Sequence, residues 1–456
     1  MTVDRFRPAV APAYLFLCLL LGGSSQGVWG NAILRLLAVA LIAWAILDRR
    51  EETMARPVKQ LLGIFALAVL LVILQLIPLP VKVWTGLPGR DLVVEGFRLL
   101  GLGLPPMPLS LSATDSMAAV IALLPPLGMI AAMARLRAYR SDWLAAALIA
   151  GTAAGVLLGV LQASSPDPDD SFWYLYRHSN FGVATGFFAN SNHMADLLLI
   201  AIPFIAALGS SVREGAKDVR LRSATLAMVG GGLAVIILGL ILNGSLAGYG
   251  LLLPVVLASL LLLFAPRIAS AKSGLIGIVV VSFAAMTLLW LSPVGRQIGT
   301  EQAETSVTSR QEILGHSIAL IDRFGLTGTG VGTYQRVYAL GENPAAVNRV
   351  FVNHAHNDYL ELAVETGLPG LAILLLFLGW WGASVLRMLK SPAADQYAYA
   401  GAIGSAAVLL HSLVDYPLRT AAISAAFAMC LMLIVLSRRT AKGDNDLRPT
   451  RHLVVG

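Results

Sequence analysis

Apolar runs about as long as a bilayer is thick recur along almost the whole chain, and they constrain the fold more than any other feature. A transmembrane α-helix needs roughly 20 apolar residues, because the hydrocarbon core of a bilayer is about 30 Å thick. Of the 456 residues, 57% are hydrophobic and only 13% are charged. A soluble domain of this size could not keep so much apolar surface from water. The sequence therefore predicts an all-α, polytopic integral membrane protein.

On this length criterion we expect about twelve transmembrane helices. The apolar run near the N-terminus is interpreted as an uncleaved first span, because the next run follows almost at once. The two cysteines, Cys18 and Cys430, both lie inside apolar runs, so we expect no disulfide framework. The predicted spans lie near residues 11–27, 31–47, 60–80, 116–134, 143–162, 186–209, 223–241, 246–264, 274–291, 367–386, 397–415 and 420–437.

Basic residues are concentrated on one side of this arrangement, and the asymmetry predicts the topology. Both termini and the short connections between spans on that side carry most of the lysine and arginine. The positive-inside rule assigns these segments to the cytoplasm, and such short basic clusters give no indication of nucleic-acid binding. The predicted organisation is a membrane domain at 1–291, an extracytoplasmic cap at 292–366, a second membrane part at 367–437 and a cytoplasmic tail at 438–456.

A polar cluster of two histidines, two asparagines, an aspartate and two glutamates lies within residues 350–370, VFVNHAHNDYLELAVETGLPG, which directly precedes an apolar run. A neutral imidazole can accept a proton from a hydroxyl group near pH 7, so His354 and His356 are candidate catalytic residues. A metal site made of the two histidines, Asp358 and perhaps Glu361 is an alternative. Ligands two residues apart suit a metal poorly unless the segment is extended, and we expect no bound metal.

The acidic residues of this stretch also have a purely structural interpretation. Asp358 and Glu361 stand three residues apart just before an apolar run, which is the spacing of a helix capping box. Gly367 and Pro369 would then end a short helix before the next span.

A second polar group enters the sixth predicted span in GFFANSNHMADLLL. It contains Asn190, Asn192, His193 and Asp196. Polar groups this close to the bilayer are costly unless they face one another or a cavity. They either join helices through hydrogen bonds or line the same cavity as His356.

Arginine is the side chain best suited to the paired oxygens of a phosphate group. Arg310 and Arg419 stand out on the extracytoplasmic face. Arg310 is expected to open the amphipathic helix SRQEILGHSIALIDRF, which GLTGTGVGTY then ends, and Arg419 follows His411 and Asp415 in HSLVDYPLRT. The other arginines on that face are Arg90, Arg98, Arg177, Arg296, Arg323, Arg336 and Arg349.

These motifs together resemble the O-antigen ligase/polymerase superfamily. The resemblance rests on GFFANSNHMA, TSRQEIL, HAHNDYLELAVETGLPG and HSLVDYPLR, and it covers about residues 180–420. Members are multi-pass glycosyltransferases of the bacterial inner membrane that act in lipopolysaccharide or exopolysaccharide synthesis. The resemblance implies a donor glycan linked to a polyprenyl diphosphate such as undecaprenyl diphosphate, an active site on the periplasmic face, and neither a metal nor another cofactor.

The resemblance also implies residue roles. His356 would activate the acceptor hydroxyl, Arg310 would neutralise the leaving diphosphate, and His354 would support His356. One departure is Leu246, which stands where members of the family often carry a second arginine. The remaining residues expected to hold His356 or contact the substrate are Asn357, Asp358, Arg419, Arg336, Asn190, Asn192 and His193.

The acceptor is left open by the resemblance. A second lipid-linked glycan would make the protein a polymerase, and lipid A-core would make it a ligase. A protein acceptor, as in a protein O-oligosaccharyltransferase, is a further alternative. The rival from another class is a flippase for lipid-linked glycans, which would also have many spans. Transporter sites lie near mid-membrane, whereas the polar cluster here lies in a predicted outer loop.

Overall fold

The computed structural model describes residues 6–25, 28–50, 53–215, 218–264, 301–342 and 352–436. The structure is mostly helical. Its α-helices are α1 (Val10–Leu21), α2 (Trp29–Leu47), α3 (Arg56–Leu76), α4 (Val81–Trp84), α5 (Asp91–Leu99), α6 (Ala113–Ala122), α7 (Leu124–Ile130), α8 (Ser141–Ala163), α9 (Ser191–Gly215), α10 (Val219–Asn243), α11 (Leu246–Phe264), α12 (Glu301–Phe324), α13 (Tyr334–Gly341), α14 (Asp358–Leu389), α15 (Gln396–His411) and α16 (Ala421–Leu436).

Eight helices in the described part of the chain are long and apolar enough to cross a membrane. The prediction of an all-α, multi-pass membrane protein is therefore confirmed in its general form. Helices satisfy every backbone polar group internally, which is why they can cross a bilayer. The candidate spans are α2, α3, the continuous stretch Ala113–Arg135 that contains α6 and α7, α8, α9, α10, α11 and α14.

The remaining predicted spans have different outcomes. Three correspond to the shorter helices α1, α15 and α16, of 12, 16 and 16 residues. The predicted span at 274–291 lies outside the described residues. The total of about twelve spans consequently stays a prediction.

Some predicted boundaries need correction. The span predicted at 60–80 is a helix that ends at Leu76, because Pro78 and Pro80 cannot continue it. The span predicted to end at 415 is a helix that ends at His411. In the connection after α3, strands β1 (Pro78–Leu79) and β2 (Met107–Pro108) form a two-stranded antiparallel sheet.

The centre of the bundle is formed by α9 and α16, whose residues are buried along most of their length. Helix α9 packs on α10, α11 and α15, and α16 packs on α15, α7 and α1. Polar residues at the start of α9, the end of α15 and the connection between α15 and α16 therefore meet at one end of the bundle. The start of α14 reaches the same end, because the backbone N–H of Asp358 donates to the carbonyls of Ser412 and Asp415.

Arg310 does not open its helix as the sequence predicted. Helix α12 begins at Glu301, so Arg310 lies within it, nine residues after its start. The predicted end of the helix is confirmed, since a short 3₁₀ turn at Gly325–Thr327 follows it. Gly328, Gly330 and Gly332 then adopt positive φ angles, which a chain turning this tightly requires of glycine.

Helix α14 contains a break at Gly367, as the sequence predicted. Gly367 has φ 57° and ψ −149°, outside the helical region. A Cβ atom added there would lie 2.1 Å from the carbonyl oxygen of Leu326, so the close approach admits only glycine. The break separates the polar first turns of α14 from its long apolar part.

Candidate active site

The motif around His356 enters α14 through an asparagine cap. The Oδ1 atom of Asn357 accepts hydrogen bonds from the backbone N–H groups of Tyr359 and Leu360, at 3.0 and 2.9 Å. Its Nδ2 atom donates to the carbonyl of Leu413, at 2.8 Å. The predicted helix start is thus confirmed, but the capping-box assignment is wrong, because Asn357 rather than Asp358 is the capping residue. Asn357 also ties this turn to the connection after α15.

His356 adopts a backbone conformation that is uncommon outside glycine, with φ 48°. Such conformations cost free energy, persist only where the surrounding structure enforces them, and cluster at active sites. The Nδ1 atom of His356 lies 3.3 Å from Oδ1 of Asp415, and about a quarter of the side chain, 27%, is exposed. A carboxylate at Nδ1 favours the tautomer that leaves Nε2 as the proton acceptor.

His354 has its own carboxylate partner. Its Nδ1 atom lies 2.9 Å from Oε1 of Glu361, whose Oε2 atom accepts a hydrogen bond from the backbone N–H of Ala355, also at 2.9 Å. Glu361 therefore turns back to fix the two residues before His356 instead of closing a capping box. The side chain of His354 is 16% exposed and that of Glu361 is 1% exposed.

Three histidine rings pack around the ring of Tyr416. Its ring centroid lies 4.0 Å from that of His354, 5.2 Å from that of His356 and 4.9 Å from that of His193. Its hydroxyl oxygen accepts hydrogen bonds from the amides of Asn353 at 3.3 Å and Asn190 at 3.4 Å. One aromatic ring thus joins the motif before α14 to the start of α9.

Arg419 lies behind the histidines among three carboxylates. Its Nη2 atom is 3.1 Å from Oε1 of Glu361 and 3.4 Å from Oε2 of Glu365, and its Nε atom is 3.4 Å from Oδ1 of Asp358. Asp358 also accepts a hydrogen bond from Ser412 Oγ, at 3.1 Å. The cluster connects successive turns of α14 to the short segment before α16.

In the connection between α15 and α16, burial and neighbouring charges shift the pKa values of three side chains. Burial raises the pKa of Asp415, but the contact with His356 and the imidazoles of His193 and His411 bring it below its ordinary value. Burial opposes the positive charge of Arg419, but the carboxylates around it raise the pKa of the guanidinium. Burial and the nearby Asp415 raise the pKa of Tyr416. Asp415 therefore stays ionised, Arg419 protonated and Tyr416 neutral near pH 7.

A cavity of about 810 Å³ opens beside these residues. His356, Asn353 and Tyr416 line it, together with Asn190 and His193 from the start of α9. Two of the polar residues near α9 thus share a cavity with His356, which is one of the two arrangements the sequence allowed. Both ring nitrogens of the buried His193 lack a hydrogen-bond partner among the described residues.

The other polar residues near α9 make internal contacts. Asn192 accepts a hydrogen bond from Ser245 Oγ, at 2.7 Å. Asp196 contacts His411 at 2.9 Å, and both side chains are fully buried. Asn192 and Asp196 therefore follow the other prediction made from the sequence, that the polar residues join helices.

The arginines singled out in the sequence occupy different surroundings. Arg310 lies one helical turn before Ile313, which lines the cavity, but Arg310 is not itself among the lining residues. Arg336 pairs with Asp115 at an exposed position. Leu246 begins α11 and is not among the residues that line the cavity.

The comparison with protein families gives a match. A family model described as O-antigen ligase matches residues 231–375, which include Arg310 and the motif around His356. The resemblance to the O-antigen ligase/polymerase superfamily is confirmed. A search of curated proteins returned no match to the chain. The O-antigen ligase match covers about a third of the sequence. The residues of the site that lie outside the match are described from the structure alone.

No set of three or more His, Cys, Asp or Glu side chains that could hold a metal is found among the residues placed by the structure. The four candidate ligands of the predicted alternative, His354, His356, Asp358 and Glu361, are drawn into separate contacts. His354 faces Glu361, whereas His356 faces Asp415. Metal independence stays a prediction.

Sequence reasoning missed two central residues of the site. Asp415 and Tyr416 lie more than fifty residues beyond the motif around His356 and outside the O-antigen ligase match. The signal available in the sequence is the polar stretch HSLVDYPLRT between two apolar runs, which contains Asp415 and Tyr416 as well as Arg419.

Proposed function

We propose that the protein transfers a glycan from a polyprenyl-diphosphate carrier to an acceptor hydroxyl group. The observation that carries the proposal is His356, which is held against Asp415 in a strained turn and lines a cavity of about 810 Å³. The O-antigen ligase match supports the same reaction class. The proposed setting is the periplasmic face of a bacterial inner membrane.

In the proposed reaction the acceptor oxygen attacks the anomeric carbon of the donor glycan. Nε2 of His356 accepts the hydroxyl proton as the new C–O bond forms. The bond between the anomeric carbon and the diphosphate breaks, and the diphosphate leaves with the bonding electron pair. Asp415 orients His356 and stabilises the imidazolium that forms, which is the usual role of a carboxylate behind a catalytic histidine.

The residues around His356 would act by positioning it. Three hydrogen bonds hold the turn that carries His356. His354 pairs with Glu361, Asn357 donates to the carbonyl of Leu413, and Asp358 accepts from Ser412. Asn190 and His193 face the cavity and would contact substrate. Asn192 and the two paired arginines, Arg336 and Arg419, remain predicted substrate ligands, although each of them already has a protein partner.

The proposed function is tested by disrupting the gene and examining cell-surface and lipid-linked glycans. Loss of long chains with single repeats retained would identify a polymerase. Accumulation of a lipid-linked polymer on the outer face would identify a ligase. Lipid-linked units trapped on the cytoplasmic face would instead indicate a flippase and would overturn the proposal. An unchanged glycan profile would also count against it.

Arg310→Lys is expected to impair transfer nearly as much as Arg310→Ala. A guanidinium can bind two oxygens of a diphosphate through parallel hydrogen bonds, whereas lysine offers a single point charge. The measurement is the release of polyprenyl diphosphate from a lipid-linked donor at matched protein levels. We expect Leu246→Arg not to restore either variant fully. Normal activity of Arg310→Lys would exclude a bidentate contact.

Alkaline phosphatase fused near Gly341, at the end of α13, is expected to be active. The enzyme folds only outside the cytoplasm, and the basic connections predict that the loop containing α12 and α13 lies on the outer face. A fusion in the C-terminal tail, after Arg439, should be inactive. The reverse pattern would put His356 on the cytoplasmic face and contradict the proposed setting.

A further inference from the structure

The cavity beside His356 extends to a segment that the reaction described above does not use. This segment, residues 164–189 of the connection between α8 and α9, contributes Tyr176, Arg177 and His178 to the cavity lining. Arg177 lies outside the O-antigen ligase match. The exposed guanidinium has no ion-pair or hydrogen-bond partner recorded among the residues the structure covers.

The backbone that carries Arg177 is well anchored. Gln162, fully buried near the end of α8, accepts hydrogen bonds from the N–H groups of Thr185 and Gly186 and donates to the carbonyl of Trp173. Tyr174 donates through its hydroxyl to the carbonyl of Val183, at 3.0 Å. A segment tied at both ends in this way presents Arg177 at a defined position. Less conformational freedom is then lost when a ligand binds.

A second set of bonds anchors the residues on either side of Arg177. The Tyr176 hydroxyl donates to the carbonyl of Phe187, at 3.3 Å. Asn180 accepts a hydrogen bond through Oδ1 from the N–H of Ser191, at 2.9 Å, which joins the segment to the start of α9. The residues next to Arg177 are therefore bonded to the start of α9, near Asn190 and His193.

The charges and polarity of the cavity fit a lipid diphosphate. The described residues that line it include Arg177 and three histidines but no aspartate or glutamate. The lining also includes apolar side chains, namely Leu20 and Leu21 from the end of α1, Trp29 from the start of α2, and Phe181. An anionic head group and an isoprenoid chain would thus both find complementary surface.

We propose that Arg177 binds the diphosphate of the lipid-linked donor, with the first isoprene units lying against Leu20, Leu21 and Trp29. The proposal rests on the glycan transfer proposed above and names the residue that serves in place of an arginine at position 246. Arg310, one turn from Ile313 of the same cavity, would bind the diphosphate from another side. Two arginines would then share the charge that develops as the diphosphate leaves.

The test is equilibrium binding of a polyprenyl diphosphate to the purified full-length protein in nanodiscs. We expect Arg177→Gln to bind it about 10- to 100-fold more weakly than wild type, the usual range for a lost charge-assisted hydrogen bond. Arg177→Lys should recover part of the affinity. Binding of the polyprenyl monophosphate should fall less, because it offers fewer oxygens to a guanidinium. Inorganic diphosphate, tested as a competitor, reports whether the head group binds without the lipid.

Arg98→Gln is the matched control, since Arg98 is an exposed arginine on α5 that pairs with Glu95 and does not line the cavity. It should bind like wild type. Wild-type protein that fails to bind polyprenyl diphosphate would overturn the proposed function itself. Wild-type binding that is equally strong in Arg177→Gln, Arg177→Ala and Arg98→Gln would overturn only the role of Arg177.

Discussion

Replacing His356 with alanine is expected to lower the rate of glycan transfer by roughly 10²–10⁴-fold, the usual contribution of general acid–base catalysis. The imidazole is the group that would take the acceptor proton, and its Nδ1 atom lies 3.3 Å from the carboxylate of Asp415. The measurement is the release of polyprenyl diphosphate from a lipid-linked donor, with each variant purified in equal amount. Donor binding should change little, so the loss should appear in kcat.

Three further variants make this expectation specific. Asp415→Asn removes the charge behind His356 but keeps the shape, and it should lower kcat by roughly 10²-fold or more by releasing the imidazole tautomer. His354→Ala should be milder, because His354 acts on the turn rather than on substrate. His316→Ala is the matched control: His316 lies on α12 against Tyr338 and does not line the cavity. Full activity of His356→Ala at normal protein levels would exclude the catalytic role.

The sequence predicted the architecture well because lipid allows few solutions. Long apolar runs can only be helices in a bilayer, and basic residues mark the ends of those runs. The helix ends were harder to predict, since they depend on local contacts. Pro78 ends α3 early. Helix α12 begins nine residues before Arg310, in a stretch whose sequence pattern does not indicate the start of a helix.

The candidate site was predicted in part. The histidine motif was visible because polar residues are rare in this chain and two histidines stand together in it. Asp415 and Tyr416 were not assigned, because their role depends on the packing of α15 and α16 against α14. In the sequence, Arg177 is one of several arginines predicted on the extracytoplasmic face. A cavity is formed by segments far apart in sequence, so single-sequence reasoning has no spacing from which to identify its lining.

Arg419→Met is expected to lower the free energy of unfolding by ~3–5 kcal/mol, the usual cost of removing one partner from a buried ionic cluster. Glu361 and Glu365 are each 1% exposed, and Arg419 is the cation that contacts both. Without it their negative charges would repel each other in a poorly solvated environment. The expected result is a lower thermal unfolding temperature in detergent and less folded protein in the membrane.

The matched control for Arg419 is Arg336→Met, which removes an arginine of 63% exposure paired with Asp115. An exposed pair contributes ~0–1 kcal/mol, so this variant should unfold almost like wild type. Adding Glu361→Gln and Glu365→Gln to Arg419→Met should restore part of the lost stability, because the uncompensated charges are then gone. The sequence predicted instead that Arg419 binds substrate. An Arg419→Met protein that unfolds like wild type but no longer binds polyprenyl diphosphate would favour that role over the one the buried carboxylates indicate.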